Sequence, residues 1–589
     1  MKVLVFAPHS LLWKHAFPEA LVAESLSQHG HQVVYVTCGS FFGDYCISMF
    51  SSQVAWNSPE REKRSICEAC GRNASVLREQ FKFPGFELVD RWTGDDEVRL
   101  EAFMAGVARD NFRDVDLNGV RVGRLALYQV LLRHKKISYD FTDDQWAEYL
   151  AHLGMTAKAA IVTPRVIDEV SPDRVILYNS LYSVNSVCRE IAGRQGIATY
   201  FLHAGGGLSN RLQTLMMGRG HTFDFYPALL DEWPRFRSAP VDAEAIRPAT
   251  NHFIQLLMAK SPYAYSPMRS QGSVDIRNLF GIGLSQKILV ATMGSYDEEV
   301  AAEEVGARVH RTAPMFETQL EWLRTTIAWI GGRKDLFLVI RVHPRELPNR
   351  RERVISEHAA GLRRLFQDLP ANVGINWPDQ NLSLYDLVEE ADVFLNSWSS
   401  AGKEMTMLGR PVVTYGDSLI FYPAELNYTA TSVAGYLEQI ERALADGWDS
   451  DRIRMTYRWL AIEYKLSLID IAESFGGNDS SARTPVLRRA VNSLGRRLGL
   501  SLEQNRDCRR RAERLRASED LVACIEQGLP TVLSVLQPVP GVSEAEELDA
   551  IKVELGRLLP LMYRDLSPGR PGTLKEHLKR FIGNVPPAT

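Results

Sequence analysis

Twice along this chain, short runs that are apolar at every position alternate with stretches of amphipathic helix, and this alternation limits the fold more than any other feature. The first block holds KVLVFAP, HQVVYVT, DRVILYN and ATYFLHA, with helical patterns such as FPEALVAESLSQHG between them. The second holds KILVATMG, LFLVIRVHP, VGINWP, ADVFLNS and PVVTYG, with MFETQLEWLRTTIAWIGG among the intervening helices. Strands without a polar face belong in a parallel sheet covered by helices on both sides. The fold class predicted is α/β, with two Rossmann-like domains and a C-terminal helical extension. Residues 1–265 form the first domain, with an insertion at about 50–155 that carries VGRLALYQVLLRHKK. The Pro-, Ser- and Gly-rich SPYAYSPMRSQGS links it to a second domain at 274–445. Beyond 446 the strand signal fades, and DRIRMTYRWLAIEYKLSLIDIAESF reads as one amphipathic helix opening a helical segment to 589.

Composition narrows the partners. The 68 basic and 72 acidic residues leave a net charge of -4 in 589 residues, so nothing global calls for nucleic acid. No apolar run approaches the length of a membrane span, and the apolar start MKVLVFAPHS is too short for a signal-peptide core, so a cytoplasmic protein is expected. The densely basic stretch at 483–516 could touch an anionic membrane from the inner face, although a solvated helix face is the commoner reading. Seven cysteines form no disulfide framework. Cys67 and Cys70 have the spacing of half a zinc site, and Cys38 and Cys46 could fold near them. Without a second such pair, plain thiols in a helix-starting loop are expected.

Four strand-end loops carry the chemistry, because open α/β sheets bind ligands beyond the carboxyl ends of their strands. In ADVFLNSWSSAGKEM, Ser397, Ser399, Ser400 and Gly402 turn from a strand into a helix and could cradle phosphate, with Glu404 in the first turn placed to accept from ribose hydroxyls. The plainer reading is helix capping. In VIRVHPRE, Arg341, His343 and Arg345 suggest an anion clamp. Gly294 and Ser295 close the first strand of the second block, where an ordinary turn is equally good. His203, ahead of Gly205, Gly206 and Gly207, suits proton transfer, and His9 ends the first strand and should face the same cleft.

The series R-x-H-P at Arg341–Pro344, S-x-S-S-x-G-x-E at Ser397–Glu404, then L-G-R-P-V-V and G-D-x-x-x-F-Y at Gly416–Tyr422 resembles the capsule polysaccharide biosynthesis proteins. These are glycosyltransferases of the GT-B type, some of them Kdo transferases using a CMP-sugar. The likeness covers about residues 285–430, and the HAGGG loop is similar to the family's N-terminal H-x-G region. It implies a glycosyltransferase building a bacterial surface glycan. The donor would be held in the second domain by Arg341, His343, Ser399, Ser400 and Glu404, with His203 and His9 towards a glycan or lipid-linked acceptor. The nucleotide sugar, a CMP-, UDP- or GDP-sugar, would be a substrate, and no separate cofactor is expected. No metal is expected either, since Asp95–Asp96 and Asp143–Asp144 are adjacent pairs in loops and not a D-x-D. The R-x-H-P and Ser-Ser pattern also resembles the glycerophosphotransferases of teichoic-acid synthesis, which use CDP-glycerol. A sugar-nucleotide epimerase or a non-catalytic glycan-assembly scaffold would share the fold.

Overall fold

The protein is described by a computed structural model, which covers residues 1–272, 274–308, 314–349, 352–416, 421–475, 501–538, 541–567 and 569–583. Its architecture is α/β, with two Rossmann-like sheets. The first sheet contains β1 (Lys2–Phe6), β2 (Gln32–Thr37), β3 (Gly85–Glu87), β4 (Arg174–Tyr178), β5 (Ala198–Ala204) and β6 (Thr214–Arg219). The second contains β7 (Lys287–Thr292), β8 (Leu336–Arg341), β9 (Val373–Asn376), β10 (Val393–Asn396), β11 (Val412–Thr414) and β12 (Tyr428–Thr429). A late strand, β13 (Leu468–Asp470), returns to the first sheet, giving the order β13-β6-β5-β4-β1-β2-β3; the second sheet runs β12-β11-β10-β7-β8-β9.

The all-apolar runs became the central strands, as two-sided burial requires. Leu4, Val5 and Phe6 of β1 and Leu338, Val339 and Ile340 of β8 are wholly buried. The second sheet is parallel throughout. The first is mixed, because β6 runs antiparallel to both β5 and β13. One apolar cluster extends from Leu4, Phe6 and Leu177 under the first sheet to Val290, Val339 and Phe394 under the second.

Two segments differ from their sequence readings. The insertion at 50–155 contributes β3 to the sheet and reaches across to the second half. Lys135, fully buried, donates to the carbonyls of Arg345 (2.6 Å) and Val354 (2.8 Å), and Arg113 and Arg124 pair with Glu304. The amphipathic pattern from Asp451 onward is not one helix. Helix Ser450–Ala461 widens into a π-helical turn, Ile462–Leu466, and the chain then enters β13. A three-residue edge strand is too short to show a period of two, so its sequence reads like the helix before it. The basic stretch divides at 500. Residues 483–500 lie outside the described residues, while Arg511 is docked on Glu24 (2.9 Å) and Cys508 is fully buried.

Candidate functional site

Parallel register places one residue from each strand of the second sheet in a single row at the carboxyl edge. Asn376 of β9 stands beside Arg341 of β8, then come Thr292 of β7, Asn396 of β10 and Thr414 of β11. All five are buried, although each ends an otherwise apolar strand. Most of these buried polar groups find partners, as such groups usually do, although the Thr414 hydroxyl has none. Thr292 donates to Asn396 Oδ1 (2.8 Å), Asn396 donates to the Ser399 carbonyl (2.9 Å), and Asn376 donates to Gln380 (2.9 Å).

Arg341 is the exception in charge. Its guanidinium donates to the neutral amide oxygen of Asn376, and among the described residues no carboxylate lies within ion-pair distance of it. Burial pushes its pKa down to about 10, which leaves a full cation at neutral pH. A buried cation with no carboxylate in direct ion-pair contact, only Asp386 at longer range, is costly, and a bound anion would neutralise it.

The walls of the pocket above this row include Arg341, His343, Ser399, Ser400, Glu404 and Tyr385. His343 Nδ1 accepts from the Arg345 backbone N–H (3.2 Å), so the neutral ring carries its proton on Nε2 as a donor. Burial pushes its pKa down to about 4. Tyr385 and Ser400 donate to the two oxygens of Glu404 (2.8 and 2.9 Å), and burial raises the carboxyl's pKa. The linker supplies part of the wall through Tyr263, Tyr265 and Ser266, with Tyr265 edge-on to His343 at 5.5 Å.

The other candidates in this half build the walls without lining the pocket. Ser397 is fully buried. Ser295 donates to Asp297 (3.0 Å). A Cβ on Gly402 would stand 1.8 Å from the Tyr422 hydroxyl, and one on Gly294 would stand 2.3 Å from Trp398 Nε1. These glycines are required by close packing. Arg345 leaves the expected clamp altogether. Its guanidinium faces inward to Asp297 and Glu352, where three nearby carboxylates raise its pKa. Of the G-D-x-x-x-F-Y stretch, residues 417–420 lie outside the described residues.

On the first sheet, His9 follows β1 and His203 lies in β5. His9 is buried and neither ring nitrogen has a hydrogen-bond partner. His203 Nδ1 donates to its neighbour's carbonyl, Ala204 (3.0 Å), which leaves Nε2 as the acceptor. Both rings are pushed down to about 4 by burial. His15, which the strand-end search passed over, stacks on Tyr178 at 4.1 Å and interacts electrostatically with both.

The two halves meet through residues that the sequence reading left in the helical extension. Lys403, next to Glu404, is buried in an ion pair with Glu463 (2.5 and 2.7 Å). Trp459 also donates to Glu463 (3.0 Å). Tyr464, the next residue of the π turn, stacks on His252 at 4.6 Å and lies 3.3 Å from where a Cβ on Gly206 would be. The HAGGG loop and the Ser-Ser loop are thus joined by one π turn, an element often found at functional sites. The adjacent carboxylates Asp95–Asp96 and Asp143–Asp144 lie in the first turns of helices Gly94–Ala105 and Asp143–Val170, where they complement the helix dipole.

No protein-family model matches the chain, and no curated protein matches it. Several solved structures are similar to it. A putative UDP-N-acetylglucosamine 2-epimerase from Listeria monocytogenes is 11% identical over 79% of this chain and 92% of its own, with a TM-score of 0.26. KpsC from Thermosulfurimonas dismutans, a beta Kdo 2,4 transferase, is 16% identical over 51% and 82%, with a TM-score of 0.32. The spinosyn rhamnosyltransferase SpnG is 13% identical over 79% and 96%, with a TM-score of 0.23. Overlaps this loose say nothing about chemistry.

Proposed function

We propose that the chain is a glycosyltransferase, moving a sugar from a nucleotide-sugar donor to a surface polysaccharide or glycoconjugate acceptor. The observation that carries this reading is Arg341, a buried cation without a carboxylate partner, in a pocket with His343 Nε2, two serine hydroxyls and a carboxylate. A donor phosphate would neutralise Arg341 and accept from His343 and Ser399. Fixed donors of this kind stabilise charge developing on a departing nucleotide as the anomeric bond breaks. Glu404, held by Tyr385 and Ser400, would accept from a ribose or sugar hydroxyl. On the opposite sheet, His203 Nε2 is free to accept the acceptor hydroxyl's proton. Its low pKa makes it a weak base in the empty protein, and an anion bound nearby would strengthen it.

Calorimetry of the purified chain against CMP-, UDP- and GDP-sugars, with CDP-glycerol in parallel, tests the reading. One nucleotide sugar should bind, and Arg341→Ala should weaken it by about 2–4 kcal/mol, the scale for removing one charged partner. The same variant should change stability little, because the cation it removes has no carboxylate in ion-pair contact and only the Asn376 amide loses a partner. Binding of CDP-glycerol alone, or of no nucleotide, would sink the proposal.

A further inference from the structure

Away from the cleft, four of the seven cysteines converge. Cys38 directly follows β2, Cys46 precedes the short helix Ile47–Ser51, and Cys67 and Cys70 lie one turn apart inside helix Glu60–Phe81. The CxxC therefore sits on a helix face and not in a helix-starting loop. All four line one small pocket, together with Pro8 and Ser10 on either side of His9. The other three cysteines, Cys188, Cys508 and Cys524, are wholly buried elsewhere.

Hydrogen-bond donors face all four sulfurs, although burial, the largest influence on each, raises their pKa and keeps them as thiols in the metal-free chain. The Phe42 backbone N–H donates to Cys38 Sγ (3.4 Å). Those of Ser48 and Met49 face Cys46, and those of Ser10 and Leu11 face Cys70. The Ser40 hydroxyl faces Cys67. A thiol is a weak acceptor, whereas a thiolate gains charge-assisted hydrogen bonds from such donors. Yet no Lys, Arg or His lines the pocket, so four thiolates there need a cation from outside the chain. All four cysteines are free. Among the described residues no three ligating side chains already stand around a single ion. All four do border the same space, and rotation about χ1 moves each sulfur between staggered positions.

We propose that Cys38, Cys46, Cys67 and Cys70 together bind a thiolate-ligated metal centre, a zinc ion or an iron–sulfur cluster, which pins the segment after β2 to helix Glu60–Phe81, beside the loop carrying His9. Binding releases the thiol protons to solvent and involves no change in the protein's oxidation state. The helix already grips that loop through Asn73, which donates to the carbonyls of Ser10 (3.0 Å) and Leu11 (3.4 Å). A metal shared by Cys67, Cys70 and the two cysteines after β2 would fix that segment to the same helix. The site is separate from the donor pocket and does not depend on the glycosyltransferase reading.

Elemental analysis of the full chain, purified without chelator and away from air, gives the first test. Zinc near one equivalent per chain supports a mononuclear site, and iron with matching acid-labile sulfide supports a cluster. Cobalt(II) titrated into the metal-stripped chain should produce a thiolate-to-cobalt charge-transfer band that saturates stoichiometrically and is displaced by zinc. Cys67→Ser, at the most open of the four positions, should weaken cobalt binding by more than about 10-fold, the scale reported for loss of an outer-shell partner alone. Thiol labelling should rise by four cysteines once the metal is stripped. Neither metal in the purified chain together with no cobalt band, unchanged cobalt binding in Cys67→Ser, or a Cys67–Cys70 disulfide in the metal-free anaerobic chain would overturn the proposal.

Discussion

Arg341 and Arg345 are four residues apart, and their side chains do opposite work. Arg341 points to a pocket and donates to the amide oxygen of Asn376, while Arg345 is enclosed by Asp297 and Glu352. Both belong to the same strand-end motif, and the sequence offers no means of telling them apart, because the carboxylates around Arg345 come from other segments. The histidines show a second effect at this scale. His9, His203 and His343 are pushed down to about 4 by burial, and His15 and His252 to about 3. These folded values lie below the ordinary 6.5, so the unfolded chain takes up protons first as pH falls. The stability is therefore complete above about pH 6.5 and is lost progressively towards pH 4, at up to about 1.4 kcal/mol per pH unit for each such histidine. Thermal unfolding followed from pH 7.5 to 4.5 should show the midpoint falling through this window. His9→Asn should flatten the slope by about one proton, and a midpoint independent of pH would contradict the burial of these rings.

Among the elements, the π turn Ile462–Leu466 has the largest consequence for its length. It turns Glu463 onto Lys403 and Tyr464 onto His252 and Gly206, so that a segment from the C-terminal part contacts both candidate loops. Removing one partner of a buried ion pair costs about 3–5 kcal/mol, because the other charge is left unpaired, whereas replacing both by apolar residues can be neutral. Lys403→Met and Glu463→Leu should each lower the urea midpoint strongly, and the double variant should recover most of the loss. If the three variants showed additive effects, the contact would not be a coupled pair. Helix Ala401–Met407 depends on its glycine in the same local way. Gly402→Ala should displace Tyr422 or the loop itself and abolish nucleotide binding, which calorimetry would detect, since the Tyr422 hydroxyl it would strike is held by Asn396 and Asn427.

For the whole molecule, the part after residue 446 is built into the first half. β13 extends the first sheet, and Arg458 forms a buried pair with Glu547 (2.6 Å). Tyr200 of β5 donates to the carbonyls of Cys524 (3.2 Å) and Leu529 (3.0 Å). A chain ending at residue 445 should expose the flank of β6 and the apolar face under β5. It should be recovered as aggregate or be digested by protease far faster than the full chain. A stable, monomeric fragment of that length would show that the C-terminal part is an appendage. No helix among the described residues is long and apolar enough to cross a membrane.

What the sequence determined by itself was local in origin. Central strands such as Leu336–Arg341 are apolar at every position but the last, and their period, length and bounding Pro or Gly are written in adjacent residues. The shared pocket of Arg341, His343, Ser399, Ser400 and Glu404 was also legible, since all follow strand ends and a parallel sheet brings strand ends to one edge. Tertiary structure alone decided the rest. The polar row Asn376–Arg341–Thr292–Asn396–Thr414 depends on register between strands far apart in sequence. The pairing of Lys403 with Glu463, and the gathering of Cys38 and Cys46 with Cys67 and Cys70, depend on chain crossings that leave no periodic trace. Hydrophobic periodicity records which face of an element is buried, but not which distant element buries it.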